Sequence, residues 1–480
     1  MKKQCLFNTV LFVVLQSSAQ IKYSGEARRF IDYDTAVIAF QHALLIDGTG
    51  NAAKSNQTII IKNGKIDWIG DDAKATIAKE AQTIDLKGKT LMPGLVMLHE
   101  HMYSSAASFN PTYPHLKQLP VTFPRMYLAG GATTIRTCGS IEPYSDLRIK
   151  KDIDAGFIIG PTMELTAPYL EGEGGFFPQM NELENENEAK DFVNYWADQG
   201  FTSFKAYMRI KKEVLKAAID AVHKRGLKIT GHLCSVTYRE AAEMGIDQLE
   251  HGLSASTDFV AGKKINECPS GMAINSSLAR LNLQNDSLKS LIQLLIKRKV
   301  IITSTLQVRE GSTTIQPVPD PAVLEAMAPD SRDYYVKRLL GRFAVQAPTP
   351  GDSAFRVFAK MEKQFSDAGG LLTVGTDPTG NGGVLAGYGN WRNIELLVEA
   401  AGFTPLEALK IATLNGAIAL GIDKTTGTIE VGKEADLIVI DGDPSKNIAD
   451  IRKVVWVFKD GVGLNSKRMF ESVKGKVGFH

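Results

Sequence analysis

Short apolar runs that end in a metal-ligating or basic side chain recur along this chain, and they constrain it more than any other feature. Val96–Leu98 reads as a strand buried on both faces, and it runs directly into His99-Glu100-His101. Side chains alternate along a strand, so His99 and His101 project to the same side. Two imidazoles on one face at a strand end can hold one metal ion together. Taken alone, the pattern also fits two solvated histidines in a loop.

The same parity rule applies further along. Phe201–Met208 is strand-like, with Lys205 at its centre and Tyr207 sharing its face. Lys228–His232 ends in His232, Gly245–Gly252 places His251 at a strand end, and Leu371–Asp377 ends in Asp377. Four of the eight histidines therefore sit at the C-terminal ends of expected strands. Strand ends near 101, 136, 166, 207, 232, 251, 305 and 377 make eight, and most spacings suit one βα unit. The active site of a parallel (βα)8 TIM barrel is built at that edge.

The intervening helices have legible ends. Val214, Leu215, Ala218, Ile219 and Val222 form an apolar stripe that Gly226 stops. Thr404-Pro405-Leu406-Glu407 is a capping box with proline at the first helical position. Proline clusters at 317–321 and 348–350 bracket a polar, helix-like stretch placed to cap the barrel. The acidic run Asn181–Asp191 reads as a solvated helix start.

On either side lie short β segments. Ile59–Lys62 and Lys65-Ile66 flank an Asn63-Gly64 hairpin turn. Ala435–Ile440 and Val454–Gly461 follow the barrel. Each flank is short of strands alone, and together they can close a small β-sandwich.

At 480 residues the chain can bury a large core and hold two domains. Met1-Lys2-Lys3, an apolar run from Cys5 to Leu15, and the small residues Ser17-Ser18-Ala19 read as a secretory signal peptide over 1–19. Cleavage before Gln20 leaves 53 basic against 53 acidic residues. Such a balance favours neither nucleic acid nor an anionic membrane surface as partner. The expected protein is exported, periplasmic or secreted, without a membrane anchor once cleaved. Cys138, Cys234 and Cys268 do not make a disulfide framework, and one pair or none is expected. Cys234, two residues after His232, also enters as a candidate zinc ligand.

Several phrases together resemble the metal-dependent amidohydrolase superfamily. They are Pro93-Gly94-Leu95 leading into His99 and His101, Gly131–Arg136, Glu250-His251-Gly252, Gly375-Thr376-Asp377 and Gly432–Val439. The resemblance runs from about Ala39 to Gly461 and is greatest to the branch of imidazolonepropionase-like proteins and metal-dependent dipeptidases. It is specific for the superfamily and says little about substrate. It implies a barrel over 92–424 and a β-sandwich domain formed by 20–91 with 425–480. It also implies a carbamate on Lys205 that bridges two divalent ions. His99, His101 and Asp377 would bind the first ion, and His232 and His251 the second, zinc being expected from the histidine-rich set. A bridging hydroxide would then attack, with Asp377 taking its proton and passing it to the leaving amine.

Each residue also has a plainer reading. Lys205 can line the barrel in a salt bridge, since a buried lysine is costly unless paired or neutral. His232 and His251 can be satisfied core histidines. Tyr207 can hydrogen-bond a substrate oxyanion or pack as an aromatic. Arg136 can bind a substrate carboxylate or pair with a local acid. Tyr169, a candidate substrate contact, falls with Glu171 and Glu173 in a loop after the third strand. That loop lacks the Gly-Gly-His phrase common in relatives, so their substrate preference does not carry over. His223 reads as a helix-end residue, and His42, His115 and His480 carry no signal.

The expected function is a binuclear hydrolase of amide C–N bonds in small molecules: dipeptides, N-acyl amino acids or cyclic amides. An esterase, lactonase or phosphotriesterase using the same metal pair is the alternative. Deamination goes with a one-metal variant lacking the lysine. A non-catalytic scaffold typically loses ligands, and all six are present here. A homo-oligomer is compatible with the sequence.

Overall fold

The computed structural model describes residues 22–105, 116–175, 177–311, 313–315, 319–344, 349–378 and 384–478. The signal peptide, its cleavage site, His115, His480, Pro317, Val318 and Pro348 lie outside them.

Eight strands, each parallel to its neighbours, carry the body of the α/β fold. They are β1 Leu95–Glu100, β2 Ala132–Thr137, β3 Thr166–Glu171, β4 Ser203–Ala206, β5 Lys228–Gly231, β6 Gln248–Glu250, β7 Ile301–Ser304 and β8 Leu372–Val374. β1 pairs with β2, and β2 with Thr162–Glu164 just ahead of β3. From β3 to β8 the strands pair in unbroken chain order. Ser140, beyond β2, bridges to Pro168 of β3. Past β8, Gly375 N donates to Ser304 O at 3.0 Å and Asp377 N to His99 O at 2.8 Å. Gly375 passes so close to the His99 backbone that any Cβ there would collide with it. Only glycine lets the end of β8 reach the end of β1.

Helices cover the outside. Lys212–Lys224 buries the expected stripe Val214, Leu215, Ala218, Ile219 and Val222, and Gly226 follows at φ +70°. Thr404 caps Pro405–Lys410 with Glu407 reciprocating, as its sequence dictates. The acidic run splits: Asn181-Glu182 pairs beside β3, while Asn185 caps the helix Glu186–Asp198. The polar stretch between the prolines is the helix Pro329–Phe343. Ala328, just before it, donates its N–H to Val477 O at 2.8 Å, which ties that helix to the C-terminal segment.

The third strand departs from expectation. It ends at Glu171, not near 166, so Tyr169 and Glu171 are strand residues rather than loop residues. Pro168 looks like a terminator, but the pairing with β4 skips from Thr166 to Tyr169 and needs no N–H from it.

The flanking segments meet in one nine-stranded sheet, in which Thr90–Pro93 lies between Val37–Leu45 and Leu437–Ile440. Asn63 and Gly64 turn the hairpin at φ +50° and +79°. Alternation decides the packing. Leu437 and Val439 join Phe40, Ile59, Leu91 and Phe458 in a core of the flanks' own. Ile438 and Ile440 face the other way, into the large core shared with the parallel strands. A strand apolar on both faces is what such double burial requires. No helix of the described residues is long and apolar enough to cross a membrane.

Cys234 and Cys268 form a disulfide 34 residues apart in sequence, and Cys138 is a buried thiol. With its sulfur in that bond, Cys234 is not available as a zinc ligand. Closing a loop of this length should stabilise the fold by about 3–4 kcal/mol in the chain-entropy model. Cys268→Ser is expected to lower the urea midpoint accordingly, and reduction of the wild type to do the same. Identical midpoints with and without reductant would remove the disulfide from the stability of the protein.

Candidate metal centre

The C-terminal ends of β1, β4, β5, β6 and β8 bring His99, His101, Lys205, His232, His251 and Asp377 into one cluster. His101 Nε2 lies 3.2 Å from Asp377 Oδ1, and His99 Nε2 lies 3.7 Å from the same oxygen. His251 Nδ1 is 3.7 Å from Asp377 Oδ2. The imidazoles form a chain, with ring centroids 5.4 Å apart for His99 and His101, 4.6 Å for His99 and His251, and 4.2 Å for His232 and His251. Lys205 Nζ sits 3.2 Å from His99 Nε2 and donates to Cys138 O at 3.0 Å. Among the described residues Lys205 has no carboxylate within ion-pair distance, so the salt-bridge reading of this lysine is not what the structure contains.

Two of these residues hold left-handed backbone, His251 at φ +66° and Asp377 at φ +52°. Non-glycine residues seldom adopt it, and it clusters at sites where the surrounding structure over-determines a side-chain position. Both residues lie just beyond the ends of their strands, β6 and β8. Gly252, next to His251, is also left-handed, and a Cβ there would run into the Glu362 carboxyl.

Burial shapes the electrostatics. It pushes His232 and His251 well below the ordinary histidine pKa, and the nearby cationic groups add to the effect. It lowers His101 to about 4 against the pull of Asp377. These imidazoles are neutral and keep a lone pair for a cation. Burial also opposes charge on His99, but Cys138, Asp377 and Glu250 outweigh it and raise His99 to about 9. Burial works against ionisation of Asp377 too, yet His99, His101 and Lys205 hold it well below the usual carboxylate range.

Ligand atoms of His99, His101 and Asp377 all lie within 4.8 Å of one another, a set that can hold a metal ion. A second such set is His99, Cys138 and Glu250. Glu250 is already engaged there, which favours the first. Its carboxylate accepts from His99 Nδ1 at 2.7 Å and from Arg136 Nη2 at 2.7 Å, and it also takes the Thr230 hydroxyl. The Arg136 and His99 charges keep it ionised despite burial. His232 and His251 are neighbours without a third ligand in such a set among the described residues.

The weaker candidates separate. Arg136 is buried in the wall, where it also donates to Gln248 Oε1 and Leu98 O, each at 2.6 Å. It pairs with a local acid and presents no free face to a substrate. Tyr169 is buried with its hydroxyl 2.6 Å from that of Tyr103, and Tyr103 stacks on His101 at 4.7 Å. Tyr207 is half-buried, its ring 4.9 Å from His232 and 5.7 Å from Lys205 Nζ. His223 is a helix-end residue paired with Asp247, and His42 pairs with Asp85 on the surface.

Sequence reading missed four participants. Glu250 orients His99, and Thr305 Oγ1 meets His251 Nδ1 at 2.8 Å. Tyr103 stands in a short strand after β1 that pairs with Leu116–Gln118, and Arg309 in a five-residue helix after β7. Glu250 had a visible signal, since it sits one residue before a candidate ligand at a strand end. Tyr103 shares the parity of His99 and His101, whereas Arg309 had no signal, because no periodicity places it.

Residues 348–464 match the model of the amidohydrolase family. A 5-methylthioadenosine/S-adenosylhomocysteine deaminase of Moorella thermoacetica is 39% identical over 84 residues, 16% of this chain and 20% of that protein. An imidazolonepropionase of Picrophilus torridus is 47% identical over 72 residues, 14% of this chain and 18% of that protein. The chain thus spans about a fifth of the length of these curated relatives. The crystal structure of a Xaa-Pro dipeptidase with bound methionine superposes with a TM-score of 0.67 at 19% identity, covering 89% of this chain and 100% of the other. Its C-terminal segment is thus similar to the amidohydrolase family, and its fold as a whole to that of the dipeptidase structure.

Proposed function

We propose that this protein is a metal-dependent hydrolase that cleaves amide C–N bonds of small molecules such as dipeptides, N-acyl amino acids or cyclic amides. The observation that carries the reading is the convergence of four imidazoles, Lys205 and Asp377 in one buried cluster at strand ends. On the same reading the eight parallel strands close as a (βα)8 barrel, and 20–91 with 425–480 form the accompanying β domain.

The residues fit a metal. Three ligand atoms converge within 4.8 Å, and His101 Nδ1 is buried with no hydrogen-bond partner among the described residues. His99, His101 and Asp377 would hold one divalent ion, and His232 and His251 a second. Lys205, as a carbamate, would stand between them, and zinc suits the set. Ions held here would lower the pKa of bound water and polarise a carbonyl.

The rest falls to the chain's own groups. Asp377, ionised and beside His101, accepts a proton from the attacking water and returns it to the departing nitrogen. Tyr207, its phenol kept protonated by burial, donates a hydrogen bond to the carbonyl oxygen as negative charge develops there. Glu250 accepts from Nδ1 of His99 and so orients the ring, whose Nε2 lies 3.7 Å from Asp377 Oδ1. The similarity of residues 348–464 to the amidohydrolase family supports hydrolysis at carbon–nitrogen bonds. Lys205 within the cluster favours it over deamination. Esters, lactones and phosphotriesters are the competing substrates, and a screen of N-acyl amino acids, dipeptides, lactams and lactones separates the classes. Turnover of lactones or esters alone would displace the amide reading.

Export is proposed from Met1–Ala19 alone. N-terminal sequencing of the exported protein should begin at Gln20, and a mature chain that retains Met1 would contradict it.

Lys205→Ala should lose most of one of two bound metal ions. Elemental analysis of wild type and variant checks this, and unchanged occupancy would show that Lys205 bridges nothing.

Asn at position 377 can still coordinate through its oxygen but cannot accept the proton. Asp377→Asn should therefore fold, keep much of its metal and lose roughly 10²–10⁴-fold in kcat. Near-normal kcat at full metal occupancy would assign the proton transfer to another residue.

A further inference from the structure

We propose that Arg309 binds a carboxylate of the substrate, so that the amides cleaved are those with an anionic group close to the scissile bond. This rests on the amide-hydrolase reading above and narrows it.

Arg309 belongs to Leu306–Glu310, the short helix that leaves the C-terminal end of β7. It is half-buried. Its Nε donates to Ser254 Oγ at 2.8 Å, and Ser254 Oγ donates to His251 O at 2.6 Å. The guanidinium is thereby tied to the segment in which His251 lies. Its charge reaches His232, His251, Asp377 and Tyr207.

Among the described residues no acid pairs with Arg309. Glu310, its neighbour in the chain, is taken by Arg392 at 2.7 Å. A guanidinium has five N–H donors in a planar fork that matches a carboxylate. Ser254 uses the Nε donor, and both terminal nitrogens remain for a bidentate partner. The contrast with Arg136 is informative. Both terminal nitrogens of Arg136 are taken, by Glu250, Gln248 and a backbone carbonyl, and it serves the wall. Arg309 is held in place by a neutral hydroxyl, and among the described residues it has no ion-pair partner. A half-buried cation in that state favours an anion supplied from outside. Arg309 is anchored through Ser254 to the segment that carries His251, which places it on the same side of the strands as the cluster.

The test uses matched probes. N-acetyl-L-leucine, N-acetyl-L-phenylalanine and N-acetyl-L-methionine are compared with the same amides lacking the carboxylate: N-acetylisopentylamine, N-acetylphenethylamine and N-acetyl-3-(methylthio)propylamine. Calorimetric titration into metal-loaded Asp377→Asn protein reads binding without turnover, and initial rates on the metal-loaded wild type read catalysis. The acids should bind tighter by about 10- to 100-fold, the range expected for a charge-assisted bidentate pair. Arg309→Met in the same background should erase that ratio, and Arg309→Lys should restore part of it. Equal affinity for acids and neutral amides, or a ratio that persists in Arg309→Met, overturns the proposal. Carboxylate-dependent binding through Arg309 without cleavage of any probe would keep the site and sink the hydrolase reading. Equal cleavage of acids and neutral amides would do the reverse.

Discussion

A buried carboxylate holds the centre of this molecule together. Glu250 at the end of β6 accepts from His99 at the end of β1, from Arg136 of β2 and from Thr230 of β5. Arg136 in turn reaches Gln248 of β6 and the carbonyl of Leu98 in β1. Five side chains from four strands thus hold one another in the dry interior. A buried ion pair adds little net stability, since desolvation offsets most of its attraction, but removing one partner strands a charge at a cost of about 3–5 kcal/mol. Its value is in specificity. A shift of register would break these contacts, and the observed register sets His99 where His101, His251 and Asp377 can meet it.

Much of this was readable beforehand because it follows from alternation. His99 and His101 share a face by parity, as do Lys205 and Tyr207, and the structure puts each pair beside the same cluster. The order of the strands followed from apolar runs between legible helices, and the hairpin from Asn63-Gly64. What alternation does not govern stayed hidden. Arg136 has a strand-end position that suits a substrate or a wall equally, and only its partners decide between them. Pro168 reads as punctuation unless the neighbouring ladder is known to skip it. The pairing of Cys234 with Cys268 depends on how the segment after β6 folds back, which spacing does not encode. Arg309 lies in an aperiodic stretch, so its place beside His251 comes from tertiary packing alone.

The two arginines near the centre also show why residue type is a poor guide to role. Both are close to the histidine cluster, and both have the same donors. One is almost fully buried and surrounded by acceptors, so it acts as a rivet between strands. The other is partly open and met by a single hydroxyl. Satisfaction of donors, not proximity, distinguishes a structural cation from one with something left to bind.

The strand Leu437–Ile440 lies between two cores, beside Thr90–Pro93 from the other end of the sequence. This has a consequence for how the chain acquires its structure. Residues 37–93 leave the ribosome early, yet the strand that completes their sheet is made more than 340 positions later. Until then their apolar surface, including Phe40, Ile59 and Leu91, lacks its partners. Pairings so distant in sequence form slowly, and exposed strand edges invite misassembly while they wait. The late-made C-terminal strands therefore act as a lock, and assembly of the flank sheet is tied to completion of the whole polypeptide.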